Sequence, residues 1–173
     1  AMISINSVGL SGAKKICDIG ALAIHGHRNG WGMLNRHPLL GIEFPAYQKI
    51  WRLAGVDQLH VNGIANKFWE SDDSVVRSME ACAAPLLGGM SVLPVVSSGQ
   101  WGGQACETYR RTKTVDLLYM AGGGIMAHPD GPAAGVRSLQ KWWDAAVEGL
   151  TMEQAAANYP ELRKSVEKFG AKS

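Results

Sequence analysis

Five short apolar runs recur along this chain, and an amphipathic stretch follows each. The runs cover residues 2–8, 22–25, 58–62, 92–97 and 115–120. Alternation of this kind, with near-continuous apolar strands, predicts an α/β fold: a parallel sheet covered by helices. The intervening stretches predict helices over 9–19, from Pro45 to Gly55, from Asp72 or Asp73 to about Leu87, over about 102–112, from Pro132 to Gly149, and from Thr151 onward. Pro45 suits a first helical turn, because its missing N–H has no partner to lose there. Tyr47, Ile50, Trp51, Leu53 and Ala54 supply the expected apolar face of that helix. Residues 30–43 read as a loop.

Four of the five runs end in polar or glycine-rich clusters: His25-Gly26-His27-Arg28, His60-Val61-Asn62, Ser97-Ser98-Gly99 and Gly122-Gly123-Gly124. An open doubly wound sheet gathers its functional residues near one switch point. A (β/α)8 barrel spreads them over the C-terminal ends of several strands. The recurrence therefore predicts a parallel (β/α)8 TIM barrel. A whole barrel takes about 250 residues, and this chain has 173. Five units fit, and the chain opens directly on a strand, so the expectation is a partial barrel over residues 1–173 with strands missing on the N-terminal side.

Composition narrows the function classes. The formal net charge is +2 with scattered basic residues, which argues against nucleic acid. No apolar run reaches the roughly 18 residues of a membrane span, and no secretory leader is visible, so a cytoplasmic protein is expected. Cys17, Cys82 and Cys106 are an odd set at wide spacing, each in a helix-like stretch, and read as free thiols.

His25 and His27 stand at i and i+2, so on one face of a strand, and Arg28 follows at the strand end. A guanidinium there can grip phosphate or carboxylate with two parallel hydrogen bonds. The bland alternative is a pair of core histidines beside a surface arginine. A zinc hydrolase also uses His-x-His at a strand end, with His60 as a further ligand, but the fifth strand end offers glycines where an aspartate is wanted. Lys67 lies in the loop after His60, either as a ligand-facing point charge or as an ordinary exposed lysine. Ser97-Ser98-Gly99 and Gly122-Gly123-Gly124 follow the last two strands, where such barrels build phosphate sites from backbone N–H groups. Trp31 and Trp101 follow strand ends and could touch ligand. Tyr119, Trp142 and Trp143 read as core.

Taken in order, these clusters resemble the C-terminal part of the RuBisCO large-chain barrel, and more closely the RuBisCO-like (type IV) proteins. The motifs are IHGHR at 24–28, HVNGIANK at 60–67, LPVVSSG at 93–99 and AGGGIMAHP at 121–129. The resemblance runs from Met2 to about Phe169 and implies strands four to eight of that barrel, with the N-terminal domain and the first strands upstream. It implies His27 and Lys67 as catalytic residues. It implies Arg28, His60, Ser97, Ser98, Gly99, Gly122 and Gly123 as substrate- or phosphate-binding residues.

Three departures separate the chain from true carboxylases. Trp31 stands where they usually carry another histidine, Ser98 replaces a glycine, and Phe68-Trp69-Glu70 differs from their loop. The departures resemble the group that decarboxylates or transcarboxylates a phosphorylated 3-oxo sugar acid after Mg2+-dependent enolisation. An enolase or isomerase acting on a methylthio-sugar phosphate is the alternative within the family. The family's Mg2+ ligands lie upstream of this chain, so no metal ligand is expected here. A non-catalytic half-barrel is the alternative outside catalysis. Its open edge strands would favour self-association, or pairing with a complementary fragment.

Overall fold

The computed structural model describes residues 1–170; positions 171–173 of the expected domain lie outside the described residues. Five strands form one sheet in the order β1-β2-β3-β4-β5. They are β1 (Met2–Ser4), β2 (His25–His27), β3 (Gln58–His60), β4 (Leu93–Val96) and β5 (Leu118–Tyr119). The pairs β1–β2, β2–β3 and β3–β4 are parallel. Strand order equals chain order, so the sheet has no switch point and is a segment of a barrel wall.

Nine helices complete the described chain: α1 (Ile5–Asp18), α2 (Gly32–Asn35), α3 (Phe44–Ala54), α4 (Asp72–Ala83), α5 (Gln104–Thr112), α6 (Gly122–Met126), α7 (Gly131–Val147), α8 (Met152–Asn158) and α9 (Pro160–Phe169). Among the described residues no helix is long and apolar enough to cross a membrane.

The chain divides into two compact units. The first holds Ala1–Val61, Asp73–Val96 and Asp116–Leu118; the second holds Asn62–Asp72, Ser97–Val115 and the chain from Tyr119 onward.

In the first unit, the strand expected over 2–8 stops at Ser4. Asn6 is recruited sideways: its Nδ2 donates to the Asn29 carbonyl at 2.9 Å, and its Oδ1 accepts from Tyr47 Oη at 2.6 Å. The backbone therefore turns helical at Ile5, and Gly9 at φ +76° kinks the result. The second strand also shifts, from 22–25 to the histidines themselves. Leu22 is exposed, whereas Ile24 N donates to Asp57 Oδ2 at 2.7 Å and fixes the register one step later. Gly26 fits mid-strand because a Cβ there would meet Leu59, Val56 and Ile5 side-chain atoms at 3.0–3.2 Å.

Helix α3 has Pro45 in its first turn and ends at Gly55 in the left-handed region, as its sequence predicts. Tyr47, Trp51 and Ala54 are buried as expected, but the rest of the buried face differs. Ile50 and Leu53 are exposed, while Gln48 and Arg52 are buried. Arg52 donates to Gln48 Oε1 and to the carbonyls of Ala81, Ala84 and Met90, so it caps the end of α4 from beneath. Helix α4 stops at Ala83 rather than Leu87, because Leu86 and Met90 pair as a tight antiparallel bridge around Leu87 and Gly88, both at positive φ.

In the second unit, Trp101, Ala105, Cys106, Trp142, Ala145, Ala146, Ala155 and Leu162 form the core. Thr151 and Gln154 make the reciprocal capping bonds that open α8. The expected last helix is two helices, broken at Tyr159, and Pro160 starts the second.

Candidate functional site

Each unit carries one part of the residue set that the sequence singles out. In the first, β2 places His25 and His27 on one face, with ring centroids 6.4 Å apart. His60, at the end of β3, lies 5.5 Å from His25 and 4.4 Å from His27 by the same measure. His25 Nε2 and His60 Nδ1 are 3.3 Å apart, so one ring donates to the other. Burial lowers the pKa of all three. His60 is pushed down to about 3, by burial first and then by His27, His25 and Arg28. The trio is therefore uncharged at neutral pH, and each imidazole offers one N–H and one lone pair.

Arg28 is buried, with its guanidinium 4.6 Å from the Phe44 ring centroid and 5.4 Å from that of Trp31. Trp31 is only 4% exposed and packs on Phe44 and Tyr47. It is a platform for Arg28 rather than the ligand-facing residue its loop position suggested.

In the second unit, Lys67, Gly99, Gly122, Gly123, Trp101 and Lys168 are among the residues that line one cavity of about 620 Å3. Lys67 is exposed, and its Nζ lies 5.6 Å from the Phe68 ring centroid. Its backbone N–H donates to the Ser98 carbonyl at 3.2 Å. Ser97 and Ser98 bring their hydroxyls to 3.2 Å. Gly99 adopts φ +89°, and a Cβ there would sit 3.5 Å from Lys67 Cβ, so the lysine stem runs directly beside it. Gly122 and Gly123 open α6 rather than lying in a loop, and a Cβ at either would meet nothing within 4 Å. Their exposed backbone is the type of surface that an oxyanion can approach closely. Ser97 and Ser98 flank this cavity in sequence without being among its lining residues.

Sequence reasoning passed over Lys168, Gln100 and Gln104. No motif marks Lys168, which comes from α9 far along the chain. Gln100 and Gln104 donate to the Ile64 carbonyl at 3.0 and 2.9 Å and so support the base of the Lys67 loop. The only signal for them was their place just beyond the Ser97–Gly99 turn.

The three cysteines are free and lie on α1, α4 and α5. Burial pushes Cys82 up to about 12 and Cys106 up to about 11, which removes both as thiolate nucleophiles. Among the described residues, no group of three or more His, Cys, Asp or Glu side chains is placed to hold a metal ion.

Known proteins resemble this chain in sequence and fold. The ribulose bisphosphate carboxylase large chain, catalytic domain, matches residues 1–169. A 3-oxo-isoapionate-4-phosphate decarboxylase from Rhizobium etli is 52% identical, over 98% of this chain and 41% of that protein. A 3-oxo-isoapionate-4-phosphate transcarboxylase/hydrolase from Xanthobacter autotrophicus is 47% identical, over 95% of this chain and 40% of that protein. The crystal structure of a rubisco-like protein from Burkholderia fungorum superposes with a TM-score of 0.91 at 46% identity, covering 97% of this chain and 42% of that one. The chain thus spans about two fifths of the length of the relatives it matches.

Proposed function

This chain belongs to the RuBisCO large-chain catalytic-domain family, and from that premise we propose that it supplies anion-gripping and proton-handling residues to an enzyme acting on a phosphorylated 3-oxo sugar acid. The activity is proposed for a longer polypeptide that includes this chain as strands four to eight of its barrel. The observation that carries the reading is the cavity of about 620 Å3, where Lys67, Gly99, Gly122 and Gly123 meet from three separate motifs.

The reaction is loss of CO2 from a 3-oxo acid. The bond to the carboxylate carbon breaks, its electron pair moves into the neighbouring carbonyl, and a proton later returns to carbon. Lys67 supplies a compact positive charge for the anionic groups of the substrate. The backbone N–H groups of Gly99, Gly122 and Gly123 bind a phosphate, with Ser97 and Ser98 shaping the turn that presents Gly99. Arg28 and His60 add donors for a phosphate. His27, neutral and only partly buried, carries the proton. Mg2+ is assigned to residues outside this chain, and no step here depends on it. Transcarboxylation of the same substrate class differs only in the acceptor of the carboxyl group.

The test is CO2 release from a phosphorylated 3-oxo sugar acid by the full-length protein and its Lys67→Ala and His27→Ala variants. We expect both variants to lose at least about a hundredfold in kcat/KM. Near-full activity in both overturns the assignment.

The sheet edges favour a second, compatible reading. Strands β1 and β5 are the outer strands, and Met2 and Leu118 on them are 62% and 38% exposed. Edges of this kind pair with another chain, so the chain alone is proposed to self-associate or to need a complementary partner, in the cytoplasm. A stable monomer in sedimentation overturns that reading.

A further inference from the structure

The second unit contains a buried polar relay that joins Ser98 to two residues, Asn62 and Glu70, which no ligand assignment uses. Asn62 and Glu70 are both almost fully buried. Asn62 Nδ2 donates to Glu70 Oε2, and Ser98 Oγ donates to Asn62 Oδ1 at 2.8 Å. A carboxylate oxygen accepts, so Glu70 turns the amide N–H toward itself and leaves the amide oxygen for Ser98. Asn62 and Glu70 are eight residues apart, and their bond closes the stem of the loop that carries Lys67. Inside that loop, Asn66 Nδ2 donates to the Glu70 carbonyl at 2.9 Å and Asn66 Oδ1 accepts from Phe68 N at 2.9 Å. Ser98 sits at φ +75°, a conformation that costs a non-glycine residue about 1–2 kcal/mol. The bond to Asn62 is what its side chain provides in return.

We propose that Glu70 and Asn62 are positioning residues for Lys67. The carboxylate–amide–hydroxyl relay ties the Lys67 loop to the Ser97–Gly99 turn, so that Lys67 lines the cavity with Gly99, Gly122 and Gly123 before any ligand arrives. This rests on reading that cavity as an anion site. A loop ordered in advance loses less entropy on ligand capture, which tightens binding without any new contact.

The test uses the full-length protein with Glu70→Leu, Glu70→Gln, Asn62→Asp and the double variant Asn62→Asp/Glu70→Gln in this chain. Two quantities are read: amide hydrogen exchange over residues 62–72, and the affinity for inorganic phosphate by calorimetry. Glu70→Leu removes the acceptor, and Asn62→Asp sets two carboxylates face to face. Each should speed exchange at Lys67 and Phe68 by at least about tenfold and weaken phosphate binding by a similar factor. Glu70→Gln keeps an acceptor oxygen and should stay within about threefold of the unsubstituted protein. In the double variant the amide and the carboxylate trade places. The amide introduced at position 70 donates to the carboxylate introduced at position 62, which still accepts from Ser98, so both quantities should recover. Unchanged exchange in Glu70→Leu overturns the relay, and so does a double variant no better than Asn62→Asp. If Glu70→Leu fails to fold, the comparison of Asn62→Asp with the double variant decides. Failure of the unsubstituted protein to bind phosphate overturns the anion reading of the cavity, whereas loss of the exchange contrast overturns the relay itself.

Discussion

Acid should destabilise this chain through His60, and replacing that residue should remove a defined part of the effect. In the folded chain His60 titrates at about 3, against 6.5 for a free imidazole. Below 6.5 the unfolded chain takes up a proton that the folded chain refuses. The stability is therefore fully present above 6.5 and is lost as pH falls from 6.5 toward 3. Each unequal proton tilts stability by about 1.4 kcal/mol per pH unit. At pH 5 the His60 share is then about 2 kcal/mol, a sizeable part of the roughly 5–15 kcal/mol typical of a domain. His25 and His27 are shifted in the same direction, so they add to the slope. His60→Gln cannot bind the proton. The assay is urea unfolding of both proteins at pH 7, 6 and 5. The gap between their stabilities should close, or reverse in favour of the variant, by about 2 kcal/mol between pH 7 and 5. Equal pH slopes would refute the claim that the trio is held uncharged.

Gly122→Ala and Gly123→Ala should separate binding from folding. A Cβ at either position meets nothing within 4 Å, so the unfolding midpoint should hold or rise slightly, while affinity for phosphate falls at least about tenfold; retained binding in both removes these glycines from the site. Arg52→Met should cost about 3 kcal/mol in urea unfolding, because the carbonyls of Ala81, Ala84 and Met90 lose a buried donor; a change below about 1 kcal/mol would show that water replaces the guanidinium.

Element order was legible because strand–helix alternation is written in hydrophobic periodicity, and three strand ends carry polar side chains that a core would not tolerate unpaired while a fourth carries glycines. The boundaries were less legible where a polar side chain overrides local pattern. Asn6 turns the chain out of β1 just after Ser4, and no alternation of Ile3 and Ile5 announces that. Gln48 and Arg52 look like the solvent face of α3, yet they are buried because α4 ends above them with open carbonyls. The same limit applies to the site. His25, His27 and His60 could be grouped from strand spacing, and Lys67 with the two glycine turns from the motifs. Lys168 could not, since only tertiary packing brings α9 to that cavity.

The positions that the resemblance marks as departures from the carboxylase pattern have definite contacts in this structure. Trp31 does not replace one ligand-binding group with another; it supplies an apolar ring beneath the Arg28 guanidinium. Ser98 and Glu70 are far apart in sequence, yet both end on the amide of Asn62, one on its oxygen and one on its nitrogen. Either change alone would leave a buried polar atom of Asn62 without that partner, at a cost of about 1–3 kcal/mol. Together they satisfy it. Arg28 is backed by Trp31, and the loop that carries Lys67 is tied by Asn62, Glu70 and Ser98. Differences between the proposed reaction and that of a carboxylase should therefore be sought in how Arg28 and Lys67 are held.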